Sequence, residues 1–162
     1  ATYLPDPGFA GVDASTFAAW DGQVDSNLAT VSVTRGATWG NYGAGYPGSN
    51  DVVPAIGMTA NPILGSDVTM QVQNTAGTNT VMIVLASTEQ AALETRNGGV
   101  LLAELDLLFA APLPVGGARI DRSVPNDPAP EGLSIYVQAL EADRGARYRV
   151  AFTSGLRLTL GH

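Results

Sequence analysis

The sequence predicts an all-β protein: a two-sheet antiparallel β-sandwich of about eight or nine short strands with an extended N-terminal arm. Three observations lead there. Charged residues make up only 14% of the chain, with Gly 19 and Pro 10; a helical bundle needs far more Glu, Lys and Arg on its wet faces. Short segments alternate apolar and polar residues with a period of two. Clusters of Gly, Pro, Asn and Asp separate them, as turns require.

Taken in order, residues 1–26 form an irregular lead. It carries Tyr3, Phe9, Phe17 and Trp20, punctuated by Pro5, Pro7, Gly8 and Gly11. Asp13-Ala14-Ser15-Thr16 ahead of Phe17-Ala18-Ala19-Trp20 reads as a cap on one or two helical turns. Residues 28–34 are the first strand, with β-branched residues favouring extension. A Gly-rich turn region follows over residues 36–49. Strands are expected at residues 55–60, 67–74 and 80–87. The second alternates cleanly, with Val68, Met70 and Val72 opposite Thr69, Gln71 and Gln73. Residues 76–79 read as a hairpin loop between the last two. Residues 81–85 are apolar on both faces, so this strand should be central. Ser87 with Gln90 three residues on reads as a capping box, predicting a helix over residues 87–96. Residues 100–109 read as strand and loop. Strands at residues 118–124, 133–142, 147–152 and 156–160 complete the set. The chain divides into residues 1–40, an arm and first strand for assembly or docking, and residues 41–162, the sandwich.

At 162 residues the chain fits one domain with an appended arm. The net charge is −7, and all eight basic residues are arginine. A nucleic-acid binder needs a basic surface to displace counterions, so nucleic acid is excluded as a partner, and anionic membranes with it. No apolar run reaches the ~18–20 residues of a membrane span; the longest, residues 100–113, is broken by Glu104 and Asp106. Cysteine is absent, which rules out disulfides, thiol catalysis and Cys-zinc sites. The chain starts at Ala1 without methionine, as removal of a signal peptide would leave it. The expected location is therefore secreted, extracellular or at the cell surface.

Several segments together carry a resemblance. Asn41-Tyr42-Gly43-Ala44-Gly45-Tyr46-Pro47-Gly48-Ser49 is followed by Pro54-Ala55-Ile56 and Asn61-Pro62-Ile63-Leu64-Gly65. Later come Val124-Pro125-Asn126-Asp127-Pro128, Gly132-Leu133-Ser134-Ile135-Tyr136-Val137-Gln138-Ala139 and the closing Ala151-Phe152-Thr153-Ser154-Gly155-Leu156-Arg157-Leu158. This order, over residues 41–161, resembles the small β-sandwich module at the C-termini of many secreted proteins of planctomycetes and other large-genome bacteria. The resemblance implies an extracellular β-sandwich and no particular activity. Tyr46 stands where that family often has cysteine, and Ser154-Gly155 replaces its usual Asn-Ala. A disulfide common in the family is therefore missing.

The residues argue against catalysis. The single histidine, His162, is the last residue, whereas a Ser-His-Asp arrangement needs an oriented imidazole. Zinc would need three or four His, Cys or carboxylate ligands together. Glu104 and Asp106 would share a face of an extended strand and so offer a carboxylate pair, but a solvated face or turn at a strand end is the reading that ordinarily explains them. Gly43, Gly45 and Gly48 open no helix and precede no lysine, so they are turn residues rather than a phosphate loop. No cofactor is expected. The one loop with hard oxygen ligands for Ca²⁺ is Asp21, Asp25 and Asn27, without EF-hand spacing. Gln138 sits among apolar residues, so its amide should tie a loop to the sheet.

The aromatic residues are unevenly spread: Tyr3, Phe9, Phe17, Trp20, Trp39, Tyr42 and Tyr46 all fall early. Aromatics are favoured interface anchors. The expected role is a self-assembling subunit of an extracellular filament or surface layer, a homopolymer whose N-terminal region completes a neighbour's sheet by β-strand addition. Its interface would be Tyr3, Leu4, Phe9, Phe17, Trp20, Leu28, Val31 and Val33. The alternative is a monomeric carbohydrate-binding or adhesion module that stacks polysaccharide on Trp20, Trp39 and Tyr42. Thr75, Thr78 and Thr80 are candidate sites for O-linked sugars.

Overall fold

The computed structural model describes residues 12–20, 22–24, 26–27, 29–34 and 36–162. Thirteen strands run through them: β1 (Val12–Phe17), β2 (Ala29–Thr34), β3 (Thr38–Tyr42), β4 (Ile56–Met58), β5 (Asp67–Val72), β6 (Thr80–Ser87), β7 (Gln90–Glu94), β8 (Val100–Ala103), β9 (Leu107–Leu113), β10 (Ala118–Ser123), β11 (Ser134–Ala142), β12 (Val150–Phe152) and β13 (Gly155–Thr159). One 3-10 turn, Ser49–Asp51, is the only helical element among the described residues.

The fold is the expected all-β sandwich. The larger sheet has the order β3-β13-β11-β6-β9, with β12 also paired to β11, and the smaller has the order β10-β5-β4. Every ladder is antiparallel. The core lies between the sheets. Ile56, Met58, Val68, Met70 and Val72 from the small sheet meet Met82, Val84, Val137, Ala139 and Leu156 from the large one. The strict alternation of β5 produces this directly, because Val68, Met70 and Val72 are buried and the residues between them are not.

β12 and β13 lie on the same side of β11, and the ladder crosses the break between them through Thr153. Its backbone N–H donates to Ala139 O at 2.9 Å, and its Oγ1 accepts from Ala139 N at 3.0 Å. The β7–β8 hairpin roofs part of the large sheet's outer face, packing on β11 and β6. Gln138 holds it there. Its Oε1 accepts from Leu102 N at 3.0 Å, and its Nε2 donates to Val100 O at 3.1 Å and Thr153 O at 2.9 Å. The tie expected of this residue is therefore present.

Four sequence expectations need correction. Residues 13–17 are strand, not helix. The register Asp13↔Val33 through Phe17↔Ala29 pairs them with β2, so cross-strand bonds replace the cap. Residues 87–96 likewise form no helix: Ser87 Oγ accepts from Glu89 N at 2.9 Å and donates to Asp106 Oδ2 at 2.6 Å. That local turn, followed by pairing of β7 with β8, overrides the helix preference of Ala91, Ala92 and Leu93. Gly98, at φ +81°, then makes the turn into β8. The loop after β5 is no hairpin, since β5 pairs with β10 and β4 while β6 pairs with β11 and β9; the chain changes sheets there. Finally, the Gly-rich stretch hides β3, which forms one edge of the large sheet and begins at Thr38.

Two carboxylates close one end of the sandwich. Glu141 accepts from Thr75 N at 2.9 Å, Thr75 Oγ1 at 2.5 Å and Ala76 N at 3.0 Å. Asp143 accepts from Ser49 N at 2.5 Å, Ser49 Oγ at 2.7 Å and Gly145 N at 2.9 Å. Both are almost fully buried. Gly48 passes between them: a Cβ there would stand 2.5 Å from both Asp143 Oδ2 and Thr75 Oγ1.

Candidate functional site

The described molecule presents two features that ordinary packing does not explain: an unprotected sheet edge and a groove on the small sheet. β9 ends the large sheet and, among the described residues, pairs only with β6. Its seven residues, Leu107–Leu113, include no charged or hydroxyl side chain. Natural edge strands are blunted by charge, proline, bulges or a covering element; among the described residues only Pro112, near the far end, serves here. Leu107 and Leu108 are 55% and 57% exposed; Leu107 turns to the space between the sheets and Leu108 to the outer face, where Val81 and Ile83 of β6 are exposed farther along the strand pair.

An apolar cleft of about 410 Å³ adjoins the edge, between the two sheets. Leu107 and Phe109 of β9 and Ile120 of β10 line it with Met70, Val84 and Val137 from interior strands. Arg122 stands at its rim and donates from its guanidinium to Asp121 O at 2.8 Å. An exposed strand bordering an opening into the core can accept another strand, through main-chain hydrogen bonds outside and apolar side chains within.

The N-terminal candidates are only partly placed. Phe17 lies in β1, and Val31 and Val33 in β2. These two strands pair with each other, and among the described residues no ladder joins them to another sheet. Trp20 is 69% exposed. Tyr3, Leu4, Phe9 and Leu28 lie outside the described residues.

Trp39 and Tyr42 are not brought together, because positions three apart on a strand face opposite ways. Tyr42 turns to the outer face of the large sheet. It packs edge-on against Tyr136 at 5.6 Å, and its hydroxyl donates to Leu102 O at 2.5 Å. Burial, reinforced by Tyr136, pushes its phenol up to about 12. Trp39 turns towards the small sheet, where its ring lies against Gly57.

The remaining candidates are engaged locally. Thr75 Oγ1 donates to Glu141, Thr80 Oγ1 donates to Ala142 O at 2.6 Å, and Thr78 is exposed. Glu104 and Asp106 lie in the turn between β8 and β9 rather than on a strand, and Asp106 accepts from Ser87. His162 Nε2 is 4.0 Å from Glu131 Oε2. Asp21 and Asp25 lie outside the described residues, and Asn27 is exposed. No group of three or more His, Asp or Glu suited to a metal ion occurs among the described residues. No helix there is long and apolar enough to cross a membrane.

Sequence reasoning missed both the β9 edge and the carboxylate anchors. The uncharged run from Leu107 was visible, but nothing local marked it as an edge. Buried Glu141 and Asp143 had no signal beyond their place at the end of a strong strand.

A scan of protein-family models and searches of curated proteins and of solved structures each found no match to this chain.

Proposed function

We propose that this protein is a non-catalytic, self-assembling subunit of an extracellular filament or surface layer, joined by β-strand addition. The observation that carries the reading is β9, an uncharged edge strand bordering an apolar opening into the core. Its occupant is the N-terminal region of a second copy. β1 and β2 make a two-stranded sheet of their own, and an isolated hairpin is marginal in water, so this region gains from a neighbour to pack on. The arm before it supplies Tyr3, Leu4 and Phe9 as apolar anchors. Donor and acceptor are different surfaces, so the contact is head-to-tail, and where its rotation does not close a ring it generates an open polymer. The low charge and the resemblance to a secreted sandwich module support an extracellular setting.

Negative-stain microscopy with light scattering tests it on three proteins: the native chain, Leu108→Lys and a chain lacking residues 1–26. Native protein should form fibres or sheets. Leu108→Lys should be a folded monomer, because a charge on the edge opposes pairing. The truncated chain should not polymerise alone. A native protein that stays monomeric at every concentration overturns the proposal, as does a Leu108→Lys protein that polymerises normally.

A further inference from the structure

The outer face of the small sheet carries a groove of about 550 Å³. Its axis is a cross-strand row: Gly57 of β4 pairs with Gln71 of β5, and Gln71 pairs with Arg119 of β10. Neighbouring strands lie about 4.8 Å apart, so the row spans roughly 10 Å. Trp39 closes the Gly57 end. A Cβ on Gly57 would lie 3.5 Å from Trp39 Cη2, ordinary van der Waals contact, so the indole stands close against the sheet at this point. Trp39 nevertheless stays 37% exposed. Gln73 and Gly117 flank the row on the next register.

The chemistry is specific. An indole offers a flat apolar face that suits the C–H face of a sugar ring. The amides of Gln71 and Gln73 each carry donors and an acceptor, which matches hydroxyl groups. Gln73 Oε1 already accepts from Ala55 N at 3.3 Å, so its NH₂ is the part that faces a ligand. Arg119 at the far end is a fork of donors, with no ion pair among the described residues. Among the described residues no carboxylate lines the groove. Asp121, the nearest on this face, accepts from Thr69 Oγ1 at 2.6 Å.

From this geometry we infer a glycan-binding groove, in which a pyranose stacks on Trp39 and sugar oxygens meet Gln71, Gln73 and Arg119. It is separate from the β9 edge, so a polymer would present it on every subunit. Trp20 and Tyr42 take no part. The oxygens at Arg119 are hydroxyls in a neutral chain or a carboxylate in a uronate chain.

Affinity electrophoresis of the full chain through gels holding soluble β-glucan, xylan or polygalacturonate tests this, with Leu108→Lys as background so that assembly does not retard the protein. At least one polysaccharide should retard it. Trp39→Ala and Gln71→Ala should each weaken retention tenfold or more, while Trp20→Ala leaves it unchanged. A uronate ligand is shown if polygalacturonate is preferred and Arg119→Gln removes the preference; a neutral ligand is shown if β-glucan or xylan is retained in both. Near-UV circular dichroism checks that each variant is folded, and Gln71→Ala serves if Trp39→Ala is not. Mobility unchanged in all three gels overturns the inference. So does retention that survives both substitutions.

Discussion

The side-chain amide of Gln138 and the backbone N–H of Leu102 meet at 3.0 Å across 36 residues of chain. The bond fastens the β7–β8 roof to the central strand of the large sheet. Gln138→Leu would fill similar space but strand Leu102 N, Val100 O and Thr153 O. A buried unpaired group costs about 1–3 kcal/mol, so the variant should lose roughly 3 kcal/mol in a urea titration. Loss below about 0.5 kcal/mol would mean that the roof is held by packing alone.

Asp143 sets an acid limit on stability. Burial alone would raise its pKa. The Ser49 hydroxyl and the N–H groups of Ser49, Gly145 and Ala146 outweigh it and hold the carboxyl below the usual range. A group depressed in the folded state stabilises above its unfolded pKa, near 3.9, and that stability disappears as pH falls through the lower folded value. Melting temperature should therefore fall steeply below about pH 4. Asp143→Asn should lower it at pH 7 and flatten the acid limb. Parallel acid limbs for both proteins would contradict this.

Tyr42 sets the corresponding limit in alkali. Its folded pKa is raised, so its stabilising contribution is complete below the unfolded value near 10 and is lost as pH climbs towards about 12. Absorbance titration of the phenols should show a late-titrating group that Tyr42→Phe removes. If the late step survives in Tyr42→Phe, it belongs to another tyrosine.

The β9 edge should tolerate charge in the isolated subunit. Leu107 and Leu108 are more than half exposed, and surface substitutions usually shift stability by no more than about 0.5 kcal/mol. Leu108→Lys should unfold with the midpoint of the native chain at dilutions where both are monomeric. Phe109→Ala, beside it, lines the cleft and should cost more, about 2–3 kcal/mol for a side chain not wholly buried.

Much of the sandwich was legible because one face of each strand is buried. β5, β6, β10, β11 and β13 all carry apolar residues at alternate positions that end in the core. What escaped were decisions taken far away. Residues 90–94 look helical until β8 arrives to pair with them, and Gly40 disguised β3 as turn. The groove was half legible: Trp39 stood out as an aromatic, but its neighbours Gln71 and Arg119 come from strands about 30 and 80 residues on, joined to it only by register.

The pairing of β3 with β13 has a consequence for how the protein is made. Asn41 donates to Gly155 O across 114 residues, and Ser49 to Asp143 across 94. Contacts this distant fold slowly, on the millisecond-to-second scale common to sandwiches. The first strand of the large sheet to leave the ribosome waits for the last before it has a partner. Meanwhile β9 has already been synthesised without a gatekeeping charge. The nascent chain thus carries a sticky edge through its slowest step, a hazard that a holding chaperone or prompt export would contain.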